Sequence, residues 1–247
     1  MAYSKLFSLL PLLSIAVILA LHTPMATAQL RAFCANFATF HPNSRYEKNL
    51  NTLLGNLSSN TPRNGYSSGF AGKCTDRVYG LALCRGDTTT EECKTCVADA
   101  TTRIRQLCPN NNGGIVWYDN CLLKYSEDDF FGEIDNVNKF YMQNPVEAKD
   151  PKAFMQKTKE LLTRLADSAA LLKSSYAAES QDIGGSVTEY AMTQCTRDLS
   201  GEDCKKCLYD SIAELPQCCG TARVGGRVIG GSCYFRYETY PFYNGAH

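Results

Sequence analysis

A three-cysteine motif that occurs twice constrains this chain more than any other feature of its sequence. The first copy runs from Cys84 to Cys96 and the second from Cys195 to Cys207. In both copies eight residues separate the first two cysteines, two residues separate the last two, and one constant offset relates the copies. A spacing that repeats without slippage predicts two duplicated domains that share a covalent framework.

Residues 1–28 have the pattern of a secretory signal peptide. An apolar run from Leu6 to Leu21 precedes the small residues of Ala26–Ala28, which suit a signal peptidase and make Gln29 the expected mature N-terminus. A membrane anchor fits less well because Pro11 interrupts the run. No second long apolar run follows, so we expect a secreted, extracellular protein without a membrane anchor.

The expected secretion decides how the 13 cysteines are interpreted. Cysteines in an oxidising compartment form disulfides by default, whereas the same pairs in a cytosolic chain would indicate zinc or thiol redox chemistry. Only His41 and His247 follow the signal, which further disfavours a zinc site. We expect disulfides, no metal and no cofactor, with at least one cysteine free, capped or bonded to another chain because the total is odd.

Charge and motifs exclude other classes of function. The chain has 25 basic and 25 acidic residues, without a basic stripe for nucleic acid or a polybasic patch for a membrane surface. It has no nucleophile elbow, zinc-protease motif or phosphate-binding loop. The acidic pairs Glu91–Glu92 and Asp128–Asp129 are typical of helix starts and solvated loops. We therefore expect a protein that binds no nucleic acid and is not an enzyme.

Each half of the chain repeats one plan of predicted elements. Apolar residues at helical spacing indicate a first helix, a strand-like run leads into the motif, the motif opens a second helix, and two strands close the half. The first helices carry Leu50, Leu53, Leu54 and Leu57, and Phe154, Leu161, Leu162 and Leu165. The strands cover 78–83, 114–118 and 121–125, and then 189–194, 226–229 and 233–238.

This plan predicts an α+β fold with two tandem disulfide-stapled domains, each an antiparallel sheet packed with two helices. The domains are expected to cover 29–135 and 140–247, with the boundary inside the polar segment 131–144. Within each motif, the three-residue step between the last two cysteines places both thiols on one face of the second helix.

The motif resembles the ginkbilobin-homologous, or stress-antifungal, domain of plants. Two tandem copies after a signal peptide are similar to a plant cysteine-rich repeat secretory protein. Further segments are similar to the ectodomains of cysteine-rich receptor-like kinases, whose transmembrane helix and kinase this sequence does not show; they are 79–87, 117–118, 218–220 and 236–243. The resemblance covers essentially all of the chain after the signal and implies this fold and an apoplastic location.

The resemblance implies a set of disulfides. Carried over by position, the pairs are Cys34–Cys108, Cys84–Cys93, Cys96–Cys121, Cys195–Cys204 and Cys207–Cys233. A third pair in the second half does not transfer, because Gln143 stands about where its leading cysteine is expected. This leaves Cys74, Cys218 and Cys219 unassigned. Cys74 could pair with either of the other two, bond to another chain or stay free.

The resemblance also implies a carbohydrate site, because the family's sugar-binding members use an Asn, an Arg and a Glu. In the second half these positions hold Asn144, Arg227 and Glu238, and in the first half the two cysteine-anchored positions hold Ile115 and Ser126, with Asn36 near the Asn position. The second domain therefore keeps the set and the first has lost it.

Such a set suits sugar hydroxyls, which both donate and accept hydrogen bonds. An Arg supplies a fork of donors, a Glu supplies acceptors and an Asn supplies both. The competing interpretation is that Arg227 and Glu238 form an ordinary surface ion pair, which contributes roughly 0–1 kcal/mol.

Two hypotheses of function follow. The first is a secreted plant defence or stress-response protein that binds mannose-containing glycans or cell-wall polysaccharide through its second domain, with antifungal action. The second is a non-enzymatic interaction module without sugar affinity, which engages apoplastic proteins or receptor-like kinases. In addition, Asn56-Leu57-Ser58 is an N-glycosylation sequon at the end of the first predicted helix, and we expect partial use of Asn56.

Overall fold

The structure is a computed structural model, and it describes residues 29–35, 38–135, 137–220 and 222–245. The expected signal peptide and Asn36 lie outside the described residues. Within the described ranges, no helix has both the length and the apolar character needed to cross a membrane.

The first half of the chain forms one antiparallel sheet and two long helices. Its elements are β1 (Gln29–Cys34), α1 (Arg45–Asn60), β2 (Tyr66–Ala71), β3 (Val78–Cys84), α2 (Thr90–Leu107), β4 (Gly114–Tyr118) and β5 (Cys121–Ser126). Short 3-10 turns lie at Thr61–Arg63 and Cys74–Asp76. The order of the strands across the sheet is β1-β4-β5-β3-β2.

The second half repeats this topology. Its elements are β6 (Lys139–Gln143), α3 (Pro151–Leu171), β7 (Tyr176–Gly184), β8 (Val187–Cys195), α4 (Gly201–Ala213), α5 (Leu215–Cys219), β9 (Gly225–Gly230) and β10 (Cys233–Glu238). The order across the sheet is β6-β9-β10-β8-β7, which matches the first sheet position by position. The short helix α5 is an addition for which the sequence provided no pattern.

The predicted α+β class is confirmed, with helices packed on an antiparallel sheet in both halves. Four strands, β1, β2, β6 and β7, were not predicted from the sequence, and all four are edge strands. An edge strand has one neighbour and exposes more polar side chains, so its alternation of apolar and polar residues is weak.

Asn56, the sequon residue, is exposed on α1.

The second helix of each half begins with a side-chain cap that sets the position of the motif cysteines. The Thr89 hydroxyl accepts a hydrogen bond from the Glu92 amide at 3.2 Å, and the Glu92 carboxylate accepts one from the Thr89 amide at 2.8 Å. In α4 the Ser200 hydroxyl accepts a hydrogen bond from the Asp203 amide at 3.1 Å, without the reciprocal contact. Such caps stabilise a helix by about 1 kcal/mol. Cys93 and Cys96 follow within the first two turns, on the buried face of α2.

Six disulfides join twelve cysteines in the described part of the chain. Five of them join the cysteines that the resemblance pairs: Cys34–Cys108, Cys84–Cys93, Cys96–Cys121, Cys195–Cys204 and Cys207–Cys233. The sixth joins the neighbours Cys218 and Cys219, a pairing that the sequence analysis did not consider. Cys74 is free and exposed.

A shared apolar cluster joins the two halves. Each sheet packs one face on its own helices, where the two larger cores lie. Its other face meets the opposite sheet, and the buried members of that third cluster are Leu81, Leu83, Ile115, Trp117, Leu122, Phe140 and Ile229. The Trp117 indole also donates a hydrogen bond to the Gly230 carbonyl at 3.0 Å. The sequence's single Trp is therefore a buried residue between the sheets.

The segment between β5 and β6, where we place the domain boundary, is tied to both halves. Lys124 forms a buried ion pair with Asp135 at 2.7 Å, and the Asp135 amide donates to the Ser232 hydroxyl at 2.9 Å. Burial alone would raise the Asp135 pKa, but Lys124 and the donors of Asn138 outweigh it and hold this pKa below its ordinary value. The carboxylate of Asp135 thus fastens the segment to the first half, and its amide fastens the segment to the second half.

Glu189 is a buried carboxyl in β8 at the position where β3 has Val78. The Thr158 hydroxyl donates to one of its oxygens at 2.5 Å, and the Gln181 amide donates to the other at 2.8 Å. Burial raises the pKa of Glu189 above its ordinary value, against the opposing effect of these donors.

Glu189→Gln is expected to raise the melting temperature at pH 7. A group whose folded pKa is raised contributes its full stability below the unfolded pKa of about 4.3, and that stability is lost as the pH rises through the folded value. Glutamine cannot ionise, so the advantage of the variant should shrink towards pH 4. Thermal unfolding between pH 4 and 8 measures this, with the exposed Glu179→Gln as the matched control. A variant less stable than the wild type at every pH would contradict the expectation.

Candidate functional site

The three residues of the sugar-binding pattern in the second half line one groove. Asn144 directly follows β6, Arg227 lies in β9 and Glu238 ends β10. In the register of the sheet, Gln143 pairs with Gly226 and Glu238 pairs with Gly225. The end of β6, the start of β9 and the end of β10 therefore meet. The groove has a volume of about 170 Å³, and its walls are Met142, Gln143, Asn144, Gly226, Arg227, Glu238 and Tyr240.

Asn144 is held by the backbone around it. Its amide donates to the Gly225 carbonyl at 2.9 Å, which extends the pairing of β6 with β9 by one residue. Its side-chain oxygen accepts a hydrogen bond from the Val146 amide at 2.9 Å, which closes a short turn after the strand. Because the oxygen is used in this way, the side-chain NH2 is the group that Asn144 has to offer to a ligand.

Arg227 does not pair with Glu238. One of its terminal nitrogens, Nη1, forms an ion pair with Asp119 in the first half of the chain. The Arg227 side chain is 15% exposed, so it is a rim residue of the contact between the halves. The competing interpretation, an ordinary surface ion pair between Arg227 and Glu238, is therefore wrong. Arg227 pairs with Asp119 instead, and this pair lies at the contact between the halves.

Glu238 is nearly buried, with 6% of its surface exposed. Its Oε1 accepts a hydrogen bond from Arg236 Nε at 3.1 Å. Its Oε2 is buried and accepts no hydrogen bond from the described residues. A buried polar atom without a partner costs about 1–3 kcal/mol, and more when it is charged. Gly225 lies so close to Oε2 that a side chain at this position would overlap it.

Arg236 orients the acidic side of the groove. Its Nη2 donates to the Tyr240 hydroxyl at 2.9 Å, and its guanidinium lies over the Phe242 ring at 4.1 Å from the centroid. Burial and then the neighbouring Arg227 charge lower the pKa of Arg236. The sequence analysis did not assign a role to Arg236, although strand alternation places it on the same face as Glu238.

The corresponding positions of the first half have different chemistry. Ile115 is 2% exposed and belongs to the apolar cluster between the sheets. The Ser126 hydroxyl accepts a hydrogen bond from the Asp128 amide at 3.1 Å. Both residues line a groove of about 250 Å³ that also contains Lys124. This groove lacks the guanidinium and carboxylate that the second half presents at the same places.

The arrangement suits binding of a neutral polar ligand. Arg227 has N–H donors, Glu238 has a carboxylate and Asn144 has an amide, and all three residues line one open groove. In the described part of the chain, no group of three or more His, Cys, Asp or Glu residues is arranged to hold a metal ion.

Comparisons with known proteins cover both halves. The family described as salt stress response/antifungal matches residues 33–128 and again 141–240. An antimicrobial ginkbilobin-2-like protein of Castanea crenata is 50% identical over 224 residues, which cover 91% of this chain and 92% of that protein. Cysteine-rich repeat secretory protein 38 of Arabidopsis thaliana is 45% identical over 240 residues, with 94% of each chain covered.

A solved structure has the same tandem architecture. The tandem DUF26 ectodomain of the Arabidopsis thaliana cysteine-rich receptor-like protein PDLP8 superimposes with a TM-score of 0.75 and 25% identity. The match covers 87% of this chain and 100% of that ectodomain.

Proposed function

Because this chain belongs to the salt stress response/antifungal family, with two tandem copies of the domain, we propose that it is a secreted plant defence protein whose second domain binds mannose-type glycans. The names of its relatives support secretion to the apoplast and an antimicrobial role, since one is called a secretory protein and another antimicrobial. The protein acts by binding, without catalysis.

One observation carries the sugar hypothesis. The groove contains Asn144, Arg227 and Glu238 together, and the buried Glu238 Oε2 has no donor among the described residues. Glu238 lines the groove, so a rotation of its side chain that brings Oε2 to the groove surface would let a sugar hydroxyl supply that donor and relieve the cost of the unsatisfied oxygen.

The remaining contacts of a bound sugar follow from the chemistry of the groove walls. The N–H groups of Arg227 donate to the oxygen of a neighbouring hydroxyl, and the Asn144 amide donates to a third. Tyr240, whose ring is 46% exposed, provides an apolar surface for the C–H face of the sugar ring. Mannose-bearing polysaccharides of fungal walls are the targets that fit an antifungal role.

A second candidate function is an interaction module that engages apoplastic proteins or receptor-like kinases. It is favoured by exposed apolar side chains at the β6 edge, Tyr141, Met142 and Val146, and by the match to a receptor-like ectodomain. Exposed apolar residues on an edge strand are suited to protein contacts.

Glu238→Gln and Arg227→Ala are each expected to weaken binding to mannan, by roughly 1.5–3 kcal/mol for the loss of a charge-assisted hydrogen bond. Titration of the full chain with mannan and with methyl α-mannoside measures the effect. Melting temperatures are recorded in parallel, because Arg227 also pairs with Asp119.

Ser126→Ala, at the corresponding position of the first half, is the control and should bind as the wild type does. A folded wild-type protein without affinity for mannan at millimolar mannose equivalents would end the sugar hypothesis in favour of the interaction module.

A further inference from the structure

The walls of the groove all belong to the second half, but one of them, Arg227, is held by the first half. Asp119 lies in the turn between β4 and β5, 108 positions before Arg227 in the chain, and its Oδ1 contacts Arg227 Nη1. The same oxygen is 4.0 Å from Nη1 of Arg236. The Asp119 side chain is 34% exposed, and its carboxylate lies next to two guanidiniums at the contact between the halves.

The position of Asp119 is set by the first half. The Arg85 amide donates to the Asn120 carbonyl at 2.9 Å, and Arg85 Nη1 donates to the Asp119 carbonyl at 3.3 Å. Arg85 is itself held in a buried ion pair with Asp87. The turn therefore presents the Asp119 carboxylate from a backbone that Arg85 holds in place.

The negative charge of Asp119 offsets the repulsion between two neighbouring arginine side chains. Arg227 and Arg236 are directly opposite each other on β9 and β10, and like charges in a cross-strand pair repel. Without Asp119, the Arg227 guanidinium would lose the ion pair that holds Nη1, and repulsion from Arg236 would drive it out of the position in which it lines the groove. With Asp119 in place, Nη1 is held at the domain contact, and Nε and Nη2 remain for a ligand.

We infer that Asp119 is a positioning residue of the sugar groove, so that glycan binding is a property of the two docked domains and not of the second domain by itself. The inference rests on the proposed function and extends it. The first domain supplies the Asp119 carboxylate, which holds Arg227 of the second domain in its position on the groove wall.

The test is a double-mutant cycle on the full chain, with mannan as the probe. Asp119→Asn preserves size and should weaken mannan binding about tenfold, as expected when a charge-assisted contact is lost. In the Arg227→Ala background the same change should alter affinity less than about twofold, because Asp119 acts through Arg227. The matched control is Asp210→Asn, which removes an exposed carboxylate paired with Lys206 on α4 and should bind normally.

The possible outcomes separate the positioning role of Asp119 from the sugar hypothesis. Equal affinity of Asp119→Asn and the wild type overturns the positioning role and leaves the sugar hypothesis intact. An equal loss in both Arg227 backgrounds also overturns it, because Asp119 would then act by another route. Failure of the wild type to bind mannan overturns both.

Discussion

Replacing Cys34 and Cys108 by alanine is expected to cost the first half most of its stability. This disulfide spans 74 positions, the longest loop closed by any disulfide in the described part of the chain. The loop-entropy estimate for a span of that length is roughly 4–4.5 kcal/mol. Small domains have total stabilities of about 5–15 kcal/mol, so a loss of this size leaves the first half marginal at 37 °C. Urea unfolding followed by circular dichroism measures the change.

Two controls make this experiment specific. Cys74→Ser changes the free, exposed cysteine and should leave the unfolding curve unchanged. The double change of Cys218 and Cys219 to alanine removes a disulfide between adjacent residues, which closes no loop. The loss of unfolding free energy in this variant should not exceed the part that comes from lost side-chain packing. Equal effects of the two double variants would contradict the loop-entropy argument.

Trp117→Ala is expected to destabilise the protein by about 3–5 kcal/mol, the usual cost of removing a buried aromatic residue. The Trp117 ring meets Phe33 at 5.4 Å and Phe140 at 5.3 Å between centroids, both edge to face. Since Phe33 belongs to the first half and Phe140 to the second, this loss falls on the contact between the sheets. Calorimetry should therefore show two separated transitions where the wild type shows coupled unfolding of its halves.

Trp117→Phe is the matched variant, because it preserves an aromatic ring and removes the hydrogen bond to Gly230. It should cost less than Trp117→Ala and keep the halves coupled. If Trp117→Ala melts like the wild type, the cluster between the sheets does not hold the domains together.

The fold was predictable because its signals are local. The repeated cysteine spacing, the leucines of α1 and the acidic pair Glu91–Glu92 at the start of α2 each depend on a few neighbouring residues, and such signals identified the four long helices and the central strands. The family resemblance carried by the same motif is confirmed by the match over both halves. Edge strands such as β2 and β7 were missed, because half-exposed strands carry little apolar alternation.

The candidate site was predictable only in part. Arg227 and Glu238 could be named only because the family resemblance implies an Arg and a Glu at fixed distances from the last motif cysteine, Cys233. The role of Asp119 could not be named, because its contact with Arg227 depends on how two domains dock and leaves no pattern in the sequence. Glu189 is a further case, since a carboxyl in a core strand is interpretable only once Thr158 and Gln181 are seen to solvate it.

The burial of Ile115 has a consequence for valency. In the first domain the position that corresponds to Arg227 holds this residue, which is packed between the sheets. The position that holds a guanidinium in the second domain is therefore part of the contact between the sheets in the first domain. Under the proposed function the tandem is therefore monovalent, and one chain engages one glycan end at a time. Such a protein coats a mannan-bearing cell without agglutinating it, and cross-linking two cells requires two chains to be joined.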